Sequence, residues 1–260
     1  MPYDKTRVIL RPYVSGGSTG KDESSSAGGA SSSGGKDSAT AQGDYINANY
    51  VKMLIGDEEL EEQANSSGYY RRWIASQGPL ENTKNDFWKM IYDSNASLIV
   101  MVTQTRELGR PKCEDYWPEE PEPVYLTNPD LLTVRLLNEE QENEGMIARE
   151  LQFRSEDGTT RNVNHIQFVD WPDHGVPHDP AHFLTFLRKI RALKKESGDD
   201  IHTIVHCSAG VGRTGVTIAL DAAWERLEKG LSVDPKALLE EMRDQRGCLI
   251  QEIGINHLIF

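Results

Sequence analysis

The pattern of apolar and polar positions divides the chain into many short strand-like stretches and a few longer helical ones. Residues 44–51 alternate between apolar and polar side chains, which is typical of a half-buried strand. Residues 97–102 form an apolar run of the kind found in central strands that are buried on both faces. Further strands are predicted at residues 7–10, 70–75, 131–137, 146–153, 162–168 and 201–205.

Apolar side chains at helical spacing predict α-helices over residues 81–93, 180–195, 216–227 and 235–243. The last of these has a clear start signal, because Asp234 is suited to the N-cap and Pro235 to the first helical position. Strands come first and helices mostly follow, with the strand at 201–205 leading into a glycine-rich turn. This order predicts an α+β (α/β) fold in which helices cover a mixed β-sheet.

The length of 260 residues is suited to one domain with a sizeable core. Residues 15–43 interrupt it with a stretch rich in Gly, Ser and Ala that cannot bury a core. We expect this stretch to be a disordered insertion, which a surface loop tolerates at little entropic cost. The expected organisation is therefore a single domain over residues 1–260 that contains the insertion.

Charge and cysteine content exclude several classes of protein. The net charge of −13 and a pI near 5.0 argue against a nucleic-acid-binding protein. The three cysteines are few and irregularly spaced, which favours a reducing compartment over a disulfide framework. No apolar run is long enough to span a bilayer, and the N-terminus has no signal-peptide core. We therefore expect a cytoplasmic location.

The most informative stretch is the loop from His206 to Gly215, between the predicted strand at 201–205 and the helix that follows. Its glycines allow backbone N–H groups to form a concave nest, and a helix N-terminus adds unpaired N–H groups and a favourable dipole. Both features attract anions with the geometry of a phosphate. We expect the phosphate to be bound by residues Ser208, Ala209, Gly210, Val211 and Gly212 of this loop, together with Arg213.

The same loop carries a candidate nucleophile. The field that binds a dianion also favours the thiolate form of Cys207. The planar guanidinium of Arg213 can donate hydrogen bonds to two phosphoryl oxygens. The hydroxyl of Thr214 can donate to the sulfur when the thiolate leaves. These parts suit phosphoryl transfer through a phosphocysteine. An isolated Cys-x5-Arg pair arises by chance, and a buried cysteine beside a helix is usually a small apolar residue, but the complete string in this context favours the catalytic interpretation.

The string His-Cys-x5-Arg-Thr resembles the signature of the tyrosine-specific protein tyrosine phosphatases. The stretches Asp-Tyr-Ile-Asn-Ala at 44–48, Gln-Gly-Pro-Leu at 77–80 and Trp-Pro-Asp-His-Gly-Val-Pro at 171–177 are similar to other motifs of that family. The resemblance covers nearly all of the chain apart from the insertion. It implies a highly twisted mixed sheet flanked by helices, phosphotyrosine-containing proteins as partners, and no metal or other cofactor.

Cleavage of a phosphate ester also requires a proton for the leaving oxygen. The resemblance assigns this role to Asp173, on a mobile loop that Trp171 anchors, and then the role of general base for the attacking water. It assigns the orientation of that water to Gln251. It gives supporting roles to His206, to Glu107 as the carboxylate that braces Arg213, and to Lys112 as a contact of the acid loop.

Two departures from the family pattern keep other interpretations open. Family members have a tyrosine-containing segment before the position of Pro2, and commonly a second glutamine at the position of Ile255. We therefore expect the chain to be a domain truncated at both ends. A phosphotyrosine-trapping module with little turnover, a dual-specificity phosphatase and a fragment that does not fold stably alone remain alternatives.

Overall fold

The computed structural model of the chain describes residues 4–11, 43–56, 70–119, 124–125, 133–142, 145–155, 158–172, 175–177, 179–197 and 202–250. The predicted insertion at 15–43 therefore lies outside the described residues, apart from Gly43. None of the helices in the described part of the chain has the length and apolar character needed to cross a membrane.

The described strands are β1 Arg7–Ile9, β2 Tyr45–Leu54, β3 Tyr70–Ser76, β4 Leu98–Met101, β5 Arg106–Glu107, β6 Arg110–Pro111, β7 Val124–Tyr125, β8 Thr133–Glu142, β9 Met146–Arg154, β10 Thr160–Phe168 and β11 Thr203–His206. They form a nine-stranded sheet and a separate two-stranded hairpin, β5–β6. The order across the large sheet is β1-β2-β3-β11-β4-β10-β9-β8-β7. Its four middle strands, β3, β11, β4 and β10, run parallel to one another, and the strands on either side pair antiparallel.

The helices are α1 Lys84–Asp93, α2 Pro180–Ser197, α3 Gly212–Glu228 and α4 Pro235–Arg243, and they cover both faces of this sheet. Successive side chains of a strand point to opposite faces. In β4, Val100 therefore packs in a core cluster that includes residues of α2, α3 and α4, whereas the adjacent Ile99 packs in a second cluster with residues of α1. The predicted α+β class, a mixed sheet flanked by helices, is confirmed.

Element boundaries differ from the sequence prediction where apolar periodicity is weak. Helix α3 begins at Gly212, whereas the apolar pattern predicted a start at residue 216. The first turn carries Gly, Arg and Thr, which give no apolar signal. The N-terminus of α3 therefore lies directly at the loop predicted to bind phosphate. The β5–β6 hairpin was missed for a similar reason, because its short strands are mostly charged and exposed.

The predicted start of α4 is confirmed and can be tested. The side chain of Asp234 accepts hydrogen bonds from the backbone N–H groups of Lys236, at 2.9 Å, and Ala237, at 3.2 Å. Asp234→Ala should lower the free energy of unfolding in urea by about 1 kcal/mol, because two N–H groups lose their acceptor. Asp234→Asn is the matched control and should retain most of the stability. Equal losses in both variants would contradict the capping role.

Candidate active site

The loop of residues 207–211 connects the carboxyl end of β11 to the N-terminus of α3 in the middle of the sheet. Neighbouring backbone holds it on both sides. Gly78 N donates to Ser208 O at 3.0 Å, and Ile250 N donates to Val211 O at 3.2 Å. Cys207 lies at the base of the loop with only 5% of its surface exposed.

Two glycines allow this loop to pack directly against the backbone that follows β3. Gly210 has a φ of +70°, and a Cβ there would lie 2.1 Å from Ser76 O. A Cβ on Gly78 would lie 2.5 Å from Cys207 O. Both distances are far inside van der Waals contact, so only glycine fits at these positions. Gly78 belongs to the Gln-Gly-Pro-Leu stretch, so this close approach explains why that stretch has a glycine.

Three successive carbonyl groups of the loop point away from its concave side. Ser208 O accepts from Gly78, whereas Ala209 O and Gly210 O accept from the guanidinium of Arg246 at 3.4 Å and 2.8 Å. In a planar trans peptide, the N–H group points opposite to the carbonyl. The N–H groups of residues 209, 210 and 211 are therefore directed to the opposite side, where they form a nest for an anion.

Sequence analysis missed Arg246, the residue that fixes this arrangement. It is 3% exposed and is held by two side chains of β2, Asn49 at 2.7 Å and Asn47 at 3.0 Å. Burial lowers the pKa of Arg246 to about 10, so the guanidinium remains charged at neutral pH. The sequence shows only an arginine in a polar turn after α4. The asparagines at alternate positions of β2 were the available signal for a buried polar partner.

Arg213 lies in the first turn of α3 and is held by a carboxylate from the β5–β6 hairpin. Its Nη1 and Nη2 atoms donate to the two carboxylate oxygens of Glu107 at 2.5 Å and 2.9 Å. Glu107 also accepts from Thr103 at 3.0 Å, and Lys112 Nζ lies 3.8 Å from it. This bidentate pair fixes the plane of the Arg213 guanidinium. A contact of Lys112 with the acid loop stays a prediction.

The stem of the predicted acid loop is attached to the same arginine. Arg213 Nη2 donates to Pro172 O at 2.8 Å. Trp171 is buried, packs edge-on against Phe183, and donates from its indole N–H to Gly175 O at 3.1 Å. These contacts fix the chain on both sides of residues 173 and 174. Asp173, Gln251 and Ile255 lie outside the described residues, so their roles stay predictions.

His206 precedes Cys207 in the sequence and Thr214 follows Arg213, and the side chains of both are buried. His206 Nδ1 lies 3.1 Å from Cys207 O, and its Nε2 lies 2.8 Å from the hydroxyl of Tyr116. Burial lowers the pKa of His206 to about 4, so this imidazole is neutral at neutral pH. The hydroxyl of Thr214 has no hydrogen-bond partner among the described residues. Its donation to the Cys207 sulfur stays a prediction.

The close packing of Gly210 predicts how the loop responds to substitution. Gly210→Ala should weaken binding of tungstate, an oxyanion shaped like phosphate, by at least about tenfold, because displacement of the loop removes one or more charge-assisted hydrogen bonds. Isothermal titration calorimetry measures this change. Gly230→Ala is the matched control, because Gly230 also has a positive φ, +76°, but, apart from its two chain neighbours, none of the described residues lies within 4 Å of the position that its Cβ would take. That variant should lose about 1–2 kcal/mol of stability and bind tungstate normally, and equal weakening in both variants would contradict the packing argument.

Comparison with known proteins agrees with this geometry. The family model described as protein-tyrosine phosphatase matches residues 1–255. The chain is 41% identical over 255 residues to tyrosine-protein phosphatase 1 of Caenorhabditis elegans, covering 97% of this chain and 21% of that protein. It is 36% identical over 250 residues to human tyrosine-protein phosphatase non-receptor type 4, covering 96% and 22%. The chain thus spans about a fifth of the length of these curated relatives.

A solved structure extends the comparison to three dimensions. The catalytic domain of human protein tyrosine phosphatase non-receptor type 18 superposes with a TM-score of 0.75 at 29% sequence identity, covering 100% of this chain and 78% of that one. The family model, the sequence relatives and the shared fold lead to one conclusion: this chain belongs to the protein-tyrosine phosphatase family.

Proposed function

We propose that this chain hydrolyses phosphotyrosine in proteins through a phosphocysteine intermediate. The observation that carries the proposal is the loop itself: its amides are directed to one side, Cys207 lies at its base, and Glu107 holds the fork of Arg213. A thiolate placed among inward N–H groups and a fixed guanidinium suits the transfer of a phosphoryl dianion.

In the first step, Cys207 Sγ attacks phosphorus, so that the S–P bond forms while the bond to the tyrosine oxygen breaks. Asp173 protonates the leaving phenolate oxygen. Arg213 and the loop amides hold the equatorial oxygens as their charge spreads. The attachment of Pro172 to Arg213 supports this role, because it ties the acid loop to the group that binds phosphate.

In the second step, water attacks the phosphocysteine, and Asp173, now ionised, accepts the proton of that water. Gln251 orients the water. The P–S bond breaks and the thiolate leaves, stabilised by the Thr214 hydroxyl and the loop amides. The Thr214 hydroxyl is buried and has no hydrogen-bond partner in the described part of the chain, which is consistent with a donor to the sulfur. These steps use no metal or other cofactor.

The proposed substrates and partners are phosphotyrosine-containing proteins. The names of the relatives and the motifs at 44–48, 77–80 and 171–177 support tyrosine specificity. A dual-specificity phosphatase is the alternative enzyme, but those domains are typically much shorter and lack these flanking motifs. Because the thiolate nucleophile needs reducing conditions, we also propose a cytoplasmic location.

The mechanism predicts distinct effects for two substitutions in the turnover of a small aryl phosphate, measured by rapid mixing with reductant present. Cys207→Ser should abolish both the burst and the steady release, because no phosphocysteine can form. Asp173→Ala should slow release by about 10²–10⁴-fold, the usual contribution of a positioned acid. Cys248→Ser, which changes an exposed cysteine, is the matched control and should keep full activity.

Other outcomes separate the alternatives. A stoichiometric burst without further turnover would identify a trapping module. Equal rates on phosphotyrosine and phosphoserine peptides would identify a dual-specificity enzyme. A folded, monodisperse sample that shows neither a burst nor steady release would contradict the proposed function.

A further inference from the structure

A chain of four buried contacts connects strand β9 to the phosphate loop. Arg149 Nη1 lies 3.3 Å from His165 Nδ1, and His165 Nε2 lies 2.8 Å from the hydroxyl of Tyr116. The same hydroxyl lies 2.8 Å from His206 Nε2, and His206 Nδ1 lies 3.1 Å from Cys207 O. All of the contributing side chains are buried, with at most 6% of their surface exposed.

The guanidinium of Arg149 at one end and the carbonyl of Cys207 at the other fix the direction of every hydrogen bond in this series. A guanidinium can only donate, so His165 Nδ1 accepts from Arg149 and His165 Nε2 carries the proton. The N–H group at His165 Nε2 donates to the Tyr116 hydroxyl, and this hydroxyl donates its proton to His206 Nε2. The remaining proton of His206 is then on Nδ1, where it donates to Cys207 O. A carbonyl can only accept, so Cys207 O requires a proton on His206 Nδ1. This is the same tautomer that Arg149 sets from the other end of the series of hydrogen bonds.

Arg149 is well placed to set this direction because three other groups hold its guanidinium. Nε donates to Glu139 at 2.5 Å, and Nη1 also donates to Gln167 Oε1 at 2.9 Å. The guanidinium carbon lies 4.2 Å from the centre of the Trp117 ring, in a cation–π contact. Arg149 and His165 are register partners in the antiparallel pair β9–β10, so their side chains lie on one face.

The Gln167 contact joins Arg149 to the other side of the site. Gln167 Nε2 donates to Thr103 O at 3.0 Å, and the Thr103 hydroxyl donates to Glu107 at 3.0 Å. Glu107 is the carboxylate that holds Arg213. Arg149 therefore belongs to two sets of hydrogen bonds. One leads through His165 to Cys207, and the other leads through Gln167 to Arg213.

We propose that Arg149 is a positioning residue that fixes the tautomers of His165 and His206 and so keeps a donor on the carbonyl of Cys207. Without Arg149 the direction of these hydrogen bonds can reverse. Tyr116 then donates to His165, and His206 donates from Nε2 to Tyr116. Two acceptors, His206 Nδ1 and Cys207 O, would face each other across 3.1 Å. Burial, with contributions from Arg149 and His206, also lowers the pKa of His165, so both imidazoles are neutral and only their tautomers are in question at neutral pH.

The test is a measurement of both histidine tautomers by 15N NMR at neutral pH, in the chain without ligand. Wild type should carry the proton on Nε2 of His165 and on Nδ1 of His206. Arg149→Met should shift His206 toward the Nε2–H form. Because the effect on rate rests on the proposed function, turnover is measured in parallel, and kcat should fall about tenfold, the value of one hydrogen bond, with KM little changed.

Two further variants complete the test. Arg149→Lys retains a buried donor and should keep the wild-type tautomers. If Arg149→Met does not fold, the wild-type tautomers still test the inference. Arg161→Met is the matched control. Like Arg149, Arg161 lies over aromatic rings, those of Tyr92 and Phe153, but it donates to Tyr92 O and takes no part in the hydrogen bonds that lead to Cys207. It should leave both tautomers and kcat unchanged.

Opposite tautomers in wild type would overturn the inference, as would unchanged tautomers and kcat in a folded Arg149→Met variant. The NMR measurement needs no turnover. A wild-type chain with the predicted tautomers but no activity would therefore contradict the proposed function while supporting the proton arrangement.

Discussion

The site depends on one constraint: a short loop must direct several consecutive N–H groups to the same side. Planar peptides then force the carbonyl groups to the opposite side, where they need donors within the protein. Gly78 N–H and the guanidinium of Arg246 supply those donors, and Gly210 allows the loop to approach the chain after β3. The proposed anion site is therefore built as much by the groups behind the loop as by the loop sequence.

This requirement explains why buried charge surrounds the loop. Arg246 approaches from the turn after α4 and is held by β2, whereas Arg213 starts α3 and is held by the β5–β6 hairpin. Each buried guanidinium is matched by acceptors, as the cost of burying a charge demands. Elements from distant parts of the chain thus converge on ten residues. The proposed catalytic geometry consequently depends on the fold as a whole rather than on a local motif.

Sequence reasoning identified the fold class, most strands and helices, and the glycine-rich loop between β11 and α3, because apolar periodicity and glycine spacing are local signals. It did not identify Arg246, Arg149 or Tyr116. Each lies in a stretch that reads as a charged strand or turn, and each becomes buried through partners 10 or more residues away. The start of α3 was predicted too late, because the turn that carries Arg213 has no apolar pattern.

The central claim is that phosphate is transferred to Cys207, and the most direct measurement is acid quenching during turnover followed by mass spectrometry. A phosphotyrosine peptide is mixed with the chain, the reaction is stopped within the first turnover, and the fragments are examined for added phosphate. The account predicts phosphate on Cys207 that disappears as the product accumulates. Product release with no phosphate on Cys207 at any time in that turnover, or phosphate on another residue, would contradict it.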